Sequence, residues 1–212
     1  MLTAFNSLED KLAHINIRLH KLASNSAKVV RHFPLTELNE EYQAASDIIC
    51  GVLGFKWSTV DDVFMFKVYL PEREFTPRGV NSINHTVFDC LGLLSPVLLQ
   101  GKLLQRTMFE SRKNCPKGMA PNWDEPLDSS FLPKWSEYQT SLQELESVSF
   151  PRSYYPADLL PIERVELHAF ADSSLVAMGF AIYIRVLGNG RAHSTLAFAG
   201  SRLAPRSVIS IV

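Results

Sequence analysis

Val165-Glu166-Leu167-His168-Ala169-Phe170-Ala171-Asp172-Ser173-Ser174 is an alternating, β-prone run that ends in a carboxylate followed by two small hydroxyl residues. A second run, Gly179 to Val186, places Phe180, Ile182, Ile184 and Val186 on one face and Ala181, Tyr183 and Arg185 on the other, which is the two-residue period of a strand. Leu187-Gly188-Asn189-Gly190 then offers residues that tolerate positive φ, as a tight hairpin requires, and a third run spans His193 to Gly200. Three consecutive antiparallel strands are expected. Phe180, Ile182, Ile184, Leu196 and Phe198 should form an apolar face of that sheet, and the stretch around Trp135 is the candidate to cover part of it.

Outward from this segment the composition is ordinary for a globular chain. A length of 212 residues allows one large or two small domains. The net charge of −1 excludes the overall electrostatic footprint of a dedicated nucleic-acid binder. Basic residues do cluster locally: Lys11, Arg18, Lys21, Lys28 and Arg31 near the start, Lys102, Arg106, Arg112, Lys113 and Lys117 in the middle, and Arg185, Arg191, Arg202 and Arg206 after the last acid, Asp172. Such segments can line a groove for phosphates or simply be solvated. Cys50, Cys90 and Cys115 are odd in number and widely spaced, which argues against a disulfide framework or a structural zinc site. No signal-peptide pattern opens the sequence and no apolar run is long enough for a bilayer, so an intracellular protein without a membrane partner is expected, cytoplasmic or nuclear.

Taken in order, Ser7 and Asp10 read as a capping box opening a short helix with Leu8 and Leu12 on one side. Ile15, Ile17 and Leu19 alternate with polar residues and suggest a strand; Ser24-Asn25-Ser26 offers N-caps for a helix through Val29 and Val30 that stops at Phe33-Pro34. Thr36 to Ala45 reads as surface loop and helix. Gly51 to Trp57 reads as a strand containing Gly54, followed by a turn at Val60-Asp61-Asp62 and a partner strand from Val63 to Tyr69. Pro77 opens a helix with Val80, Ile83, Val87 and Phe88 at helical spacing. A second helix starts near Ser95-Pro96 and carries Val97, Leu98, Lys102, Leu103, Leu104 and Met108. Asp128 and Ser129 cap a third, whose stripe is Phe131, Leu132, Trp135, Tyr138, Leu142 and Leu145, and a strand is expected within Val148 to Tyr155.

Several ordered landmarks carry a resemblance. Ala171-Asp172-Ser173-Ser174, Met178-Gly179-Phe180-Ala181 and Ala197-Phe198-Ala199-Gly200-Ser201-Arg202-Leu203-Ala204-Pro205 resemble the first three strands of a retroelement ribonuclease H domain. Lys21-Leu22-Ala23-Ser24-Asn25-Ser26 and Gly51-Val52-Leu53-Gly54-Phe55-Lys56-Trp57 resemble the reverse transcriptase of BEL/Pao-type retrotransposons after its active-site strands, the second being similar to the hairpin that grips the primer end. Phe88-Asp89-Cys90-Leu91-Gly92-Leu93-Leu94-Ser95-Pro96 resembles a signature of the same family, with Cys90 in place of its proline. Trp123-Asp124-Glu125-Pro126 and Phe150-Pro151-Arg152 are similar to later landmarks.

The resemblance implies an α+β chain in three parts: residues 1–72 as the end of a reverse-transcriptase palm with a primer-grip-like hairpin, 73–147 as a helical thumb and connection, and 148–212 as an incomplete ribonuclease H-like three-stranded sheet. It implies Lys21, Lys28, Gly54, Trp57 and Arg202 as nucleic-acid-binding residues and Asp172 as the lone catalytic and metal-binding remnant. Val60-Asp61-Asp62 spells the core of a polymerase metal motif, but it lies on the wrong side of the Leu-Gly strand, so Asp61 and Asp62 are expected to be turn residues. Ribonuclease H chemistry places two divalent ions within a cluster of carboxylates, and one carboxylate holds Mg²⁺ weakly. Glu166 and His168 share a strand face with Asp172, too far back to complete a site alone.

The expected protein is therefore a fragment of a retrotransposon Pol polyprotein that uses no cofactor and does not cut by itself, the sequence ending about where the family's next helix, with its catalytic Glu, begins. Mg²⁺ or Mn²⁺ is implied only for a complete site, as in a metal-dependent RNA–DNA hybrid ribonuclease formed by a longer chain or a partner. Weak contact with primer-template or hybrid, self-association through the incomplete sheet, and a domesticated structural role are the remaining expectations.

Overall fold

The computed structural model describes residues 2–38, 49–52, 54–112 and 122–205. The chain divides into two compact units, one made of residues 1–65 with 149–152 and the other of residues 66–148 with 153–212. Both mix helix and sheet, as the α+β reading expects.

In the first unit, helix α1 (Leu2–Ala13) begins well before Ser7, so the serine sits inside the helix and caps nothing. The alternation of Ile15, Ile17 and Leu19 forms no strand; Ile15 and Ile17 are exposed beyond a turn with Asn16 at φ 55. Alternation specifies a strand only where a second strand is there to pair with it. Helix α2 (Ala27–Val30) does start after the serine cluster. Of the expected surface segment from Thr36 to Ala45, a 3₁₀ turn covers Leu35–Glu37, and residues 39–45 lie outside the described residues.

The Gly51–Trp57 run is two strands rather than one. β1 (Ile49–Val52) and β2 (Phe55–Ser58) pair antiparallel with Val52 opposite Phe55, and Gly54, at φ 84, belongs to the tight turn between them. Positive φ is what glycine supplies there. β3 (Val63–Phe66), shorter than expected, lies next to β2, and β4 (Ser149–Pro151), which is all of Val148 to Tyr155 that is strand, pairs with β3. Phe55, Phe64 and Phe150 meet with ring centroids 5.5–5.7 Å apart and supply the apolar side of this sheet.

Asp61 and Asp62 are turn residues, as expected. Ser58 Oγ donates to the Asp61 carboxylate at 3.0 Å, and Asp62, at φ 55, accepts from Trp57 Nε1 at 3.1 Å and from both ends of the Arg152 guanidinium at 2.6 and 2.9 Å. Burial pushes the Asp62 carboxyl up, but hydrogen bonds from Arg152 and Trp57 outweigh it and hold the group below its ordinary value of 3.8. A carboxyl depressed in the folded state favours folding above its unfolded value and loses that contribution as pH falls through the folded one. Acidification below about pH 4 should therefore weaken this unit in the wild type. Asp62→Asn should start less stable and show a flatter loss, measured by urea midpoints across the acid range. Parallel profiles would mean that the Asp62–Arg152 pair does not couple to folding.

In the second unit, helix α3 (Pro77–Asn84) has Thr76 at its N-cap, whose hydroxyl accepts from Gly79 N at 3.2 Å, and Pro77 in its first turn. Helix α4 (Ser95–Ser111) follows a turn in which both Asp89 carboxylate oxygens are occupied, by Leu93 N at 3.0 Å and Leu94 N at 2.8 Å. Helix α5 (Leu132–Glu144) is preceded by Asp128, which accepts from Ser130 N. Val80, Ile83, Met108, Trp135, Tyr138, Leu142 and Leu145 are buried as the periodicity requires. Val97, Leu98, Leu103, Leu104 and Phe131 are half-buried, and two members of the expected stripes are exposed: Phe88, which lies beyond the end of α3, and Leu132, the first residue of α5.

The three expected strands are present: β5 (Ile162–Ser173), β6 (Ala177–Gly188) and β7 (Arg191–Leu203), antiparallel in that order. Asn189 and Gly190, at φ 49 and 67, form a two-residue hairpin loop between Gly188 and Arg191. A bulge at Ala197 corrects the expected apolar face: Ile182 stands opposite Phe198 but Tyr183 opposite Leu196, so Phe198 joins Phe180 and Ile182 while Leu196 turns to the other side. The element lying along β7 is α4, not the Trp135 helix. Ala199 N donates to Leu91 O at 2.9 Å, Ser201 Oγ to Ser95 O at 3.1 Å, and Arg106 to Ala204 O at 2.6 Å.

Candidate functional site

Asp172 comes near the end of β5, in register with Gly179 of β6 and Ser201 of β7. Residues opposite one another across a sheet share a face, and Gly179 has no side chain, so nothing stands between Asp172 and Ser201 on that face. Because Ser201 is tied to Ser95, the N-terminal end of α4 is held beside this row. The result is a cleft of about 790 Å³ whose walls include Asp89, Lys102, Asp172, Phe180, Phe198 and Arg202. It offers an exposed carboxylate and a lysine from a helix, while the Phe180 and Phe198 rings, with centroids 5.5 Å apart, stand on the opposite face of the sheet.

The carboxylates do not converge. Asp172 Oδ1 accepts from Ser173 N at 2.8 Å, and Asp89 is committed to the turn before α4. Glu166 lies on the Asp172 face but is surrounded by Arg185 Nη1 at 2.8 Å, Arg164 Nη2 at 2.9 Å and His168 Nε2 at 3.1 Å. Hydrogen bonds from Arg185 and then His168 hold its carboxyl below the usual range. Among the described residues no group of three or more His, Cys, Asp or Glu could hold a metal ion. These residues therefore do not fit a paired-metal centre, which needs several oxygens around each ion.

The other residues singled out from the sequence are spread over both units. Lys21, at φ 56, and Lys28, in α2, are exposed in the first unit, where Gly54 marks the β1–β2 turn. Trp57 is 8% exposed, and the Arg152 guanidinium lies 5.2 Å from its ring centroid, so little ring is left for a base. Arg202 lines the cleft in the second unit, in register with Met178 and hence on the sheet face opposite to Asp172.

A family model described as the Pao retrotransposon-like RNaseH-like domain matches residues 76–212. The chain belongs to this family. The match takes in α3, α4 and α5 as well as the three-stranded sheet, so the helix that flanks the cleft, α4, is part of the Pao-type domain. No curated protein and no solved structure matches the chain.

Sequence reasoning missed Lys102 and Asp89 as neighbours of Asp172. Lys102 reads as one position in an amphipathic helix and one member of the mid-chain basic cluster, neither of which places it beside Asp172. The one signal that could have placed it was Gly92 in Leu91-Gly92-Leu93, since a glycine ahead of a helix marks a point where other backbone can come close. No helix among the described residues is long and apolar enough to cross a membrane, and Cys90 is not in a disulfide. Cys115, Lys113, Lys117 and Arg206 lie outside the described residues.

Proposed function

We propose that this chain is a section of a retrotransposon Pol polyprotein: the end of a reverse-transcriptase palm over residues 1–72, thumb and connection over 73–147, and a ribonuclease H-like sheet over 148–212. In this reading it holds primer-template or RNA–DNA hybrid weakly and does not cut it. The observation that carries the reading is Asp172 at a strand end of a Pao-type domain, beside Lys102 in one cleft, with no second carboxylate free to join it among the described residues. Lys102 and Arg202 supply phosphate contacts in the second unit, Lys21 and Lys28 in the first. A net charge of −1 limits their sum.

Affinity for a hybrid duplex should be on the order of 10⁻⁴ to 10⁻⁶ M and fall as salt is raised. Lys102→Gln should weaken it and reduce the salt slope by about one unit. In Mg²⁺ or Mn²⁺ the chain should leave the hybrid intact, and Asp172→Asn should behave like the wild type. Tight, salt-indifferent binding would contradict the first half. Metal-dependent cutting lost in Asp172→Asn would overturn the second and make the protein a hybrid ribonuclease whose missing carboxylates come from a partner or a longer chain.

A further inference from the structure

Helix α4 is tied to the C-terminal sheet at two places along its length, by different chemistry at each. Around its start the ties are backbone acceptors, Leu91 O holding the Ala199 amide and Ser95 O holding the Ser201 hydroxyl. Further along the helix the tie is one side chain. Arg106 donates from Nη2 to Ala204 O at 2.6 Å and, over a longer 3.5 Å, from Nη1 to Val176 O. Both acceptors are uncharged carbonyls, so the contact orients without neutralising. A planar fork of donors suits two carbonyls at a fixed spacing better than the point charge of an ammonium.

The two carbonyls belong to the strand ends next to Asp172. Val176 lies in the turn that joins β5 to β6 just past Asp172, and its carbonyl also accepts from Ala204 N at 2.9 Å; Ala204 follows β7 and is buried. Ser174 closes that turn, its amide donating to Ala177 O at 2.8 Å and its hydroxyl accepting from Val176 N at 3.2 Å and Ala177 N at 3.1 Å. Arg106 therefore grips acceptors that are already bonded to one another and to a closed turn. An α-helix turns about 100° and rises about 1.5 Å per residue, so Ser95, Lys102 and Arg106 fall within roughly 40° of one another around α4. Lys102 stands on that stripe between the two ties, about 10 Å along the axis from Ser95 and about 6 Å from Arg106, and it lines the cleft.

A helix fixed near one end alone is free to swing about that end, and a side chain partway along it then has no set reach. The second tie removes that freedom. We propose that Arg106 is a positioning residue for the phosphate contact of Lys102: it sets the angle of α4 against the strand ends beside Asp172 and makes no contact with nucleic acid itself. The assignment rests on the reading of Lys102 as a phosphate contact.

Hybrid binding titrated over a range of salt, in a double-mutant cycle on the full chain, separates position from charge. Lys102→Gln alone should lower the salt slope by about one. Arg106→Lys keeps the charge and loses the fork, and it too should lower the slope by about one; adding Lys102→Gln to it should change the slope no further. Wild-type binding by Arg106→Lys would mean that charge is all Arg106 supplies. Additive losses would mean that it acts independently of Lys102. Either result overturns this proposal while leaving the phosphate reading of Lys102 intact, whereas a slope indifferent to Lys102→Gln in the otherwise natural chain would overturn both. Hydrogen exchange without nucleic acid supplies the second measurement. In Arg106→Lys and Arg106→Gln the Ala204 amide should exchange at least tenfold faster, while the Ala199 amide, held at the other tie, keeps its wild-type protection. Unchanged protection at Ala204, or an equal loss at Ala199 from general destabilisation, would overturn the positioning role.

Discussion

Replacing Gly92 with alanine should release β7 from the turn that precedes α4. Gly92 sits at φ +71, and a Cβ there would meet the carbonyl of Ala199 and the amide of Gly200, which are backbone atoms with no rotamer to retreat into. The same turn holds Leu91 O, the acceptor for Ala199 N, and Ser95 O, the acceptor for Ser201 Oγ. Left-handed strain and overpacking add, so the substitution should cost roughly 2–5 kcal/mol, a large part of the stability of an ordinary domain. Gly190→Ala is the control. Its φ of +67 is nearly the same, but beyond its chain neighbours no atom of the described residues lies within 4 Å of the added carbon, so only the strain remains, about 1–2 kcal/mol. Urea midpoints should separate the two variants. Hydrogen exchange should locate the Gly92→Ala damage at the Ala199 amide while the β5–β6 pairing is retained. Equal losses would mean that close approach to β7 contributes nothing. The consequence reaches the cleft, because the same docking holds Lys102 beside the Asp172 strand.

That docking also explains why the fold was only partly legible in the sequence. The C-terminal strands could be read because their information is local: alternation sets the faces, and Asn189-Gly190 sets a two-residue turn. The bulge at Ala197 could not, because a bulge is one extra residue tolerated by the partner strand, and it moved Phe198 to one side and Leu196 to the other. In the first unit the glycine of Leu53-Gly54 reads as a strand interior, since a short apolar run with a glycine looks the same whether the chain passes straight through or doubles back. Asp172 was visible as a residue, and its surroundings were not. What brings Asp89 and Lys102 to it is a set of backbone acceptors, Leu91 O and Ser95 O, that every residue type carries alike. Arg106 is the one side chain in that contact with a distinctive signature, and it read as part of a basic segment.

The helical layer of the second unit makes the other large prediction. Gly101 lies inside α4, where alanine would ordinarily be favoured by roughly 1 kcal/mol. Here the added carbon would collide with the Tyr138 ring and hydroxyl and with Asn84 Oδ1. Both neighbours are buried, and both are already poorly satisfied. Asn84 donates from Nδ2 to Gly101 O at 3.1 Å and Gln105 Oε1 at 2.7 Å, yet its Oδ1 and the Tyr138 hydroxyl have no hydrogen-bond partner among the described residues. Burial pushes the Tyr138 phenol up to about 12. The ring cannot simply swing away, because Trp135 lies 5.5 Å from it, centroid to centroid, on the same helix. Gly101→Val should therefore cost roughly 3 kcal/mol or more, combining overpacking with displaced polar groups. Tyr138→Phe removes an unpaired buried hydroxyl and should be neutral or stabilising by about 1 kcal/mol. Combined with Gly101→Ala it should recover part of the loss, with a coupling of at least about 1 kcal/mol in a double-mutant cycle. Strict additivity would show that the Tyr138 hydroxyl is not what Gly101 makes room for, and that the ring itself and Asn84 keep the glycine small.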